Sequence, residues 1–197
     1  MQKGNYISTI LRSKKTVFSF KDIVLLWNES NLNAARVRVN YFVKNGELIH
    51  LRRGLYAKDN NYNKLELATK IFTPAYVSFE TVLAQEGVTF QYYGNIFVAS
   101  YLTREIEVDG QIYVFKKMKD FALSDSVGIK NENEQSIASK ERAFLDVIYI
   151  NKDYHFDNLG SLNWEKVFEI LPIYDNQRMT NKVQEFFKDF KKQVNKY

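Results

Sequence analysis

Side chains able to do covalent or metal chemistry are sparse in this chain of 197 residues. It has no cysteine, which removes thiolate nucleophiles, disulfides and cysteine-ligated zinc, and its two histidines, His50 and His155, lie far apart in the sequence. One carboxylate group has suggestive spacing: Glu105, Glu107 and Asp109 alternate onto one face of a strand near Lys116 and Lys117. Such a set can hold Mg²⁺ for nuclease chemistry, but charged residues are also the ordinary occupants of the exposed face of a half-solvated hairpin, and that reading is favoured. Lys140, Glu141, Arg142 and Asp146 offer a second acid–base set. On a helix, Glu141 suits the positive N-terminal end and Arg142 with Asp146 forms an i, i+4 pair. Ser78 and Ser139 lack a histidine partner and read as helix caps. There is no glycine-rich phosphate loop, so no catalytic residue, metal or cofactor is expected.

Charge is more telling. The formal net charge of +5 conceals an asymmetry: residues 1–58 carry 11 lysines and arginines against three carboxylates, a net of +8, and the rest carries 17 against 20, a net of −3. A basic N-terminal unit points to a polyanion, and the mildly acidic remainder to another task. DNA and membrane phosphate both satisfy that charge, as does a plainly solvated basic surface. The 15 Phe and 13 Tyr, with only two Pro, imply a folded chain without long flexible linkers. No run of 18 apolar residues occurs, and the N-terminus, MQKGNYISTILRSKK, lacks a hydrophobic signal core, so no membrane span and a cytoplasmic location are expected.

The elements that must position the basic residues can be read locally. Tyr6, Ile7, Ile10 and Leu11 recur at helical spacing, and Lys14, Lys15 and Thr16 break the pattern. Ser19 followed three residues later by Asp22 has the form of a capping box for a second helix that ends near Asn28. A third helix starts after Ser30 or Asn31 and runs to Asn45, stopped by Gly46. Its core face carries Leu32, Ala35, Val39, Phe42 and Val43, and its opposite face Asn33, Ala34, Val37, Tyr41 and Lys44, flanked by Arg38 and Asn40. GELIHLRRGLYA, residues 46–57, then alternates as a hairpin with Arg52 and Arg53 at its tip. Three helices followed by a hairpin is the order of a winged helix-turn-helix, in which the third helix enters the major groove and the hairpin is the wing.

Residues 59–63 read as a short Asn-rich connection, after which the chain changes character. A helix closes at Pro74, a strand spans 75–77, and a further helix after Ser78 stops at Gly87. Another strand covers 96–100, and Asp109-Gly110 joins strands 104–108 and 111–115 in a hairpin that Lys116 and Lys117 extend. Helices are expected over 139–150, 164–171 and from 175 onward, the last with Val183, Phe186, Phe187, Phe190 and Val194 as an apolar stripe. That stripe suits a core, or alternatively a dimer or partner face.

In this order and spacing, RRGLYAK, LATKIFTPAYVSFETVLAQEG, REIEVDGQIYVFKK and ASKERAFLDVIY resemble the AbiEi family of antitoxin-type transcriptional regulators, over residues 5–150. The resemblance implies an N-terminal winged helix that binds inverted repeats in its own promoter and represses it. It also implies a following domain that counters an AbiEii nucleotidyltransferase toxin, in the type IV pattern without a stable toxin complex. The resemblance does not extend to residues 160–197 and assigns them no role.

The expectation is therefore an α+β chain: a winged helix-turn-helix over residues 1–58, then a mixed α/β antitoxin-type domain over 64–197 with helices at its C-terminal end. Its expected partners are double-stranded DNA, a cognate nucleotidyltransferase toxin reached directly or indirectly, and a second copy in a homodimer. Lys14, Lys15, Lys44, Arg52 and Arg53 are the expected phosphate contacts, and Asn33, Val37, Arg38 and Tyr41 the expected readers of base edges. The alternatives are a stand-alone regulator without a toxin and a module whose basic face docks on an acidic protein.

Overall fold

The computed structural model describes residues 5–132 and 134–194. The fold is α+β, with two β-sheets among the described residues. The N-terminal part runs α1 (Asn5–Leu11), β1 (Val17–Ser19), α2 (Phe20–Trp27), α3 (Leu32–Lys44), β2 (Ile49–Arg52) and β3 (Leu55–Ala57). Its three strands form an antiparallel sheet in the order β1-β3-β2. The capping box exists: Ser19 Oγ accepts from the Asp22 backbone N–H at 3.1 Å, and Asp22 accepts from the Ser19 N–H at 2.8 Å. Asn31, not Ser30, caps α3, its side-chain oxygen accepting from the N–H groups of Asn33 and Ala34. Strand β1 was not legible in sequence, because three residues are too few to show alternation.

The second sheet has six strands in the order β6-β7-β5-β4-β9-β8. These are β4 (Ala75–Val77), β5 (Ile96–Ser100), β6 (Arg104–Val108), β7 (Gln111–Lys117), β8 (Ile129–Glu132) and β9 (Gln135–Ala138). The sheet is mixed: β5 runs parallel to β7 and β4 to β9, while the other neighbours are antiparallel. The β6–β7 hairpin turns on Asp109 (φ 51) and Gly110 (φ 70), the left-handed pair that a two-residue hairpin needs. Helices α4 (Lys64–Ile71), α5 (Phe79–Gln85) and α7 (Lys140–Ile150) pack with this sheet, α5 and α7 also against each other, and α8 (Trp164–Ile170) and α9 (Gln177–Val194) pack on α7. The short α6 (Asp120–Ser124) and strands β8 and β9 also lack a sequence signal, since β8 is largely polar and exposed. The Phe stripe of α9 is turned inward: Phe186 meets Phe144 and Phe156, and Phe187 and Phe190 lie against Trp164.

The connection over residues 59–63 is packed rather than free. Tyr62 is buried and its hydroxyl donates to Asp109, while Asn63 caps α4 and its backbone N–H donates to Thr16 Oγ1 at 2.8 Å. From α4, the buried Glu66 accepts from the backbone N–H of Thr16 at 2.9 Å, its hydroxyl at 2.6 Å and the Lys70 ammonium at 2.7 Å. Lys70 also donates to the carbonyl of Val17. Val17, Leu55 and Ala57 belong to the same apolar cluster as Leu67 and Ala68, so one core runs from the small sheet into α4.

A second polar cluster holds the larger part together. Ser78 stands at the N-cap position of α5, but its hydroxyl does not cap: it donates to Asp146 at 2.6 Å, which corrects the capping role expected from sequence. Ser139, by contrast, does cap, accepting from the Arg142 N–H at 3.2 Å. Asp146 also accepts from Tyr174 at 2.6 Å, Tyr76 at 3.2 Å and Arg142 Nε at 3.4 Å. The rest of the Arg142 guanidinium donates to the Tyr76 hydroxyl and to the carbonyls of Ala122, Asp125 and Val127. Burial, then the neighbouring Asp146 charge, pushes the Tyr76 and Tyr174 hydroxyls well above the ordinary range, which keeps both as donors. Both charges of the i, i+4 pair are fully buried, so each depends on this complete set of partners. Asp146→Ala, which leaves Arg142 buried and unpaired, is expected to lower the unfolding free energy in urea by about 3–5 kcal/mol. A loss below about 1 kcal/mol would show that the cluster contributes no more than an ordinary hydrogen bond.

Candidate nucleic-acid interface

In α3, Ala35, Val39 and Phe42 are buried against Ile10, Phe18, Ile23, Trp27 and Leu48. That leaves the opposite face with no packing duty. Asn33, Arg36, Val37, Asn40, Tyr41 and Lys44 are all exposed there, Val37 to 70% and Tyr41 to 59%. Lys44 lies in the last turn, where a cation also suits the negative end of the helix. The Tyr6 and Ile7 side chains of α1, with Ala34, Val37, Arg38 and Tyr41, line an open groove of about 690 Å³ along one side of this face.

Arg38 stands apart from these neighbours. Its guanidinium forms an ion pair with Glu29 at 3.0 Å, lies 3.8 Å over the Tyr6 ring and faces Trp27 at 5.5 Å. The Trp27 indole N–H donates to the Tyr6 carbonyl at 2.9 Å, and its ring meets Phe42 edge-on. Arg38 thereby ties α3 to α1 and to the turn before α3. Hydrogen bonding from the Asn31 backbone N–H, then from Arg38, holds the Glu29 carboxyl below its usual range. The periodicity of α3 placed Arg38 on a flank but could not show that Glu29 and Tyr6 would claim it.

The two arginines of the hairpin also part ways. Gly54 takes φ 77 at the turn, and its carbonyl accepts from the Phe20 N–H at 2.9 Å, which holds the tip against the start of α2. Arg53 is exposed. Arg52 is half-buried, with its guanidinium 5.8 Å over the Phe72 ring that follows α4. His50 is exposed on β2 beside the Tyr56 ring.

Lys14 and Lys15 show the same division. Lys14 is exposed, whereas Lys15 bridges Asp22 at 3.0 Å and Glu134 at 3.1 Å. Burial pulls the Lys15 ammonium down, but the two carboxylates outweigh it and leave its pKa raised. For Asp22, burial is likewise outweighed by hydrogen bonds from Ser19 and Lys15, which hold the carboxyl below its ordinary 3.8. Of the residues expected at a polyanion, the fold therefore leaves Lys14, Asn33, Val37, Tyr41, Lys44 and Arg53 open to a partner and engages Lys15, Arg38 and Arg52 within the protein. The periodicity of α3 sets Arg36 closer to the core edge, but the structure leaves it an exposed cation within 3.4 Å of the Asn33 side-chain oxygen.

The carboxylate set of the β6–β7 hairpin does not gather a lysine. Lys116 donates to both oxygens of Glu80, at 3.0 and 2.9 Å, between the rings of Phe79 and Phe97. Among the described residues no three His, Asp or Glu side chains converge on a common point. No helix among them is long and apolar enough to cross a membrane. No protein-family model matches the chain, and no curated protein matches it.

The capping box that starts α2 makes a pH-dependent contribution. Because the folded pKa of Asp22 is depressed, its stabilisation is fully present above the ordinary 3.8 and is lost as pH falls through the lower folded value. The denaturation midpoints of the protein and Asp22→Asn are thus expected to differ at neutral pH and to converge near the acid limit. A gap of constant size across that range would contradict the assignment.

Proposed function

We propose that this protein is a sequence-specific DNA-binding autorepressor with an antitoxin role. In this reading α1–α3 and the small sheet act as a winged helix-turn-helix, with α3 in the major groove and the β2–β3 hairpin as its wing. The observation that carries the reading is the outer face of α3, exposed over its length and free of core duties inside an N-terminal unit of net charge +8. A helix must have such a face to bring side chains to base edges. Lys14, Lys44 and Arg53 supply phosphate contacts, and Asn33, Val37 and Tyr41 face the bases. Arg38 and Arg52 support the helix and the hairpin from behind.

The antitoxin role rests on the resemblance to the AbiEi family, and the part after Asn63 carries it. Two copies on adjacent half-sites of an inverted repeat would combine their affinities through a high effective concentration.

A gel shift of the DNA upstream of the protein's own reading frame, against a scrambled duplex, tests the DNA reading. A retarded band specific to the upstream DNA is expected. Arg53→Ala and Lys44→Ala are each expected to weaken binding to every duplex and to reduce the slope of log affinity against log salt by about 0.9. An unchanged slope in both variants would remove these residues from the contact set, and equal binding to the scrambled duplex would remove sequence specificity. For the antitoxin role, co-expression with a nucleotidyltransferase encoded by the neighbouring reading frame is expected to restore growth, and unrelieved toxicity would overturn it.

A further inference from the structure

The outer face of α3 combines residue types that match one kind of base pair. Val37 stands at its centre, 70% exposed, with Tyr41 one turn later and Ala34 one turn earlier, so an apolar strip runs along the helix in the middle of a basic surface. Val37 is β-branched, and in a helix its side chain is held to one strongly preferred rotamer. Its two methyl groups are therefore presented in a fixed direction at little further entropic cost. The amides of Asn33 and Asn40 sit at i−4 and i+3 from Val37, its nearest neighbours on the helix surface, and both are exposed.

In the major groove the thymine methyl is the one apolar group that a base pair displays, and its partner adenine offers the acceptor and donor pair that an asparagine amide matches. Guanine would instead call for a free arginine or lysine aimed at the groove floor. Of the two arginines flanking Val37 on α3, Arg38 is held by Glu29 and Tyr6, and Arg36 donates to the Asn33 side-chain oxygen at 3.4 Å. Arg36 leans over Phe20 at 5.5 Å, toward the flank. Lys44 stands two turns beyond Val37, at the helix end.

We infer that Val37 is a specificity-determining residue that reads a thymine methyl, and that the base pair facing the centre of α3 in each half-site is A·T. This rests on the DNA-binding reading above and names the base chemistry at that same surface. The flanking lysines and arginines are complementary to the phosphates on either side, which selects DNA over an apolar protein as the occupant of the strip.

The test begins with selection from a random pool of duplexes of about 30 base pairs, enough for two half-sites one helical turn apart. Each thymine of the selected duplex is then replaced in turn by deoxyuridine, which removes the methyl and keeps the base pairing. One position per half-site is expected to lose affinity roughly fourfold, the worth of about one buried methyl group. Val37→Ser, at an exposed position, is expected to keep the thermal midpoint of the protein, to bind the thymine duplex more weakly, and to be indifferent to deoxyuridine at that position. Equal sensitivity in the protein and Val37→Ser, no sensitive thymine, or a G·C pair wherever Val37 governs selection would each overturn the inference while leaving sequence-specific binding intact. A pool from which nothing is enriched would take down both the inference and the DNA reading.

Discussion

Glu66 is a carboxylate with almost no contact with water, and two of the three donors that satisfy it come from the N-terminal part, across the connection between the two sheets. Two of its donors belong to Thr16 and the third, Lys70, reaches on to the Val17 carbonyl. A buried charge without partners is costly enough that the arrangement tolerates little drift. The joint therefore fixes the start of β1, and β1 ends at Ser19, the residue that caps α2. From there the Trp27 and Phe42 packing and the Arg38 tether set the direction of α3. The exposed helix face is thus registered, through a short chain of polar contacts and one continuous apolar core, against α4 and the larger sheet.

The same economy governs the positive charge. The basic unit carries many cations, and the fold sorts them. Those next to a carboxylate or an aromatic face are drawn in: Lys15 by Asp22 and Glu134, Arg38 by Glu29 and Tyr6, Arg52 by Phe72. Arginine suits this role because its planar, weakly hydrated head stacks on rings at a smaller desolvation cost than an ammonium. Arg12, Lys14, Lys21, Arg36, Lys44 and Arg53 stay exposed to solvent. Neighbours in sequence end in different roles, as Arg52 and Arg53 do, because Arg52 closes strand β2 and reaches the Phe72 ring whereas Arg53 stands in the exposed turn that follows.

Inside the larger part, the Arg142–Asp146 pair works as a clamp on pieces that have little else to hold them. Ala122, Asp125 and Val127 belong to a stretch with one short helix and few buried apolar side chains, and its carbonyls are gathered by a single guanidinium. Tyr174 ties in the turn before α9, and Ser78 ties in the junction between β4 and α5. At that junction Phe79 takes φ 55, a left-handed conformation that costs a bulky residue about 1–2 kcal/mol, offset by its complete burial and the adjoining hydrogen bonds.

The sequence by itself determined the local elements and the distribution of charge. Helices announce themselves through caps and periodicity, as Ser19 with Asp22 does for α2, and Asp109-Gly110 specifies its hairpin because few other residues accept two successive positive φ angles. Which face of α3 is free also follows from its pattern alone. Tertiary structure decided what depends on residues distant in the chain: the pairing of β4 with β9, the existence of the three-residue β1, the diversion of the Ser78 hydroxyl from capping to Asp146, and the engagement of Arg38 by Glu29 and Tyr6 and of Arg52 by Phe72. Periodicity reports which way a side chain points from its own helix or strand, and burial and charge pairing are settled only by what the rest of the chain brings to that side.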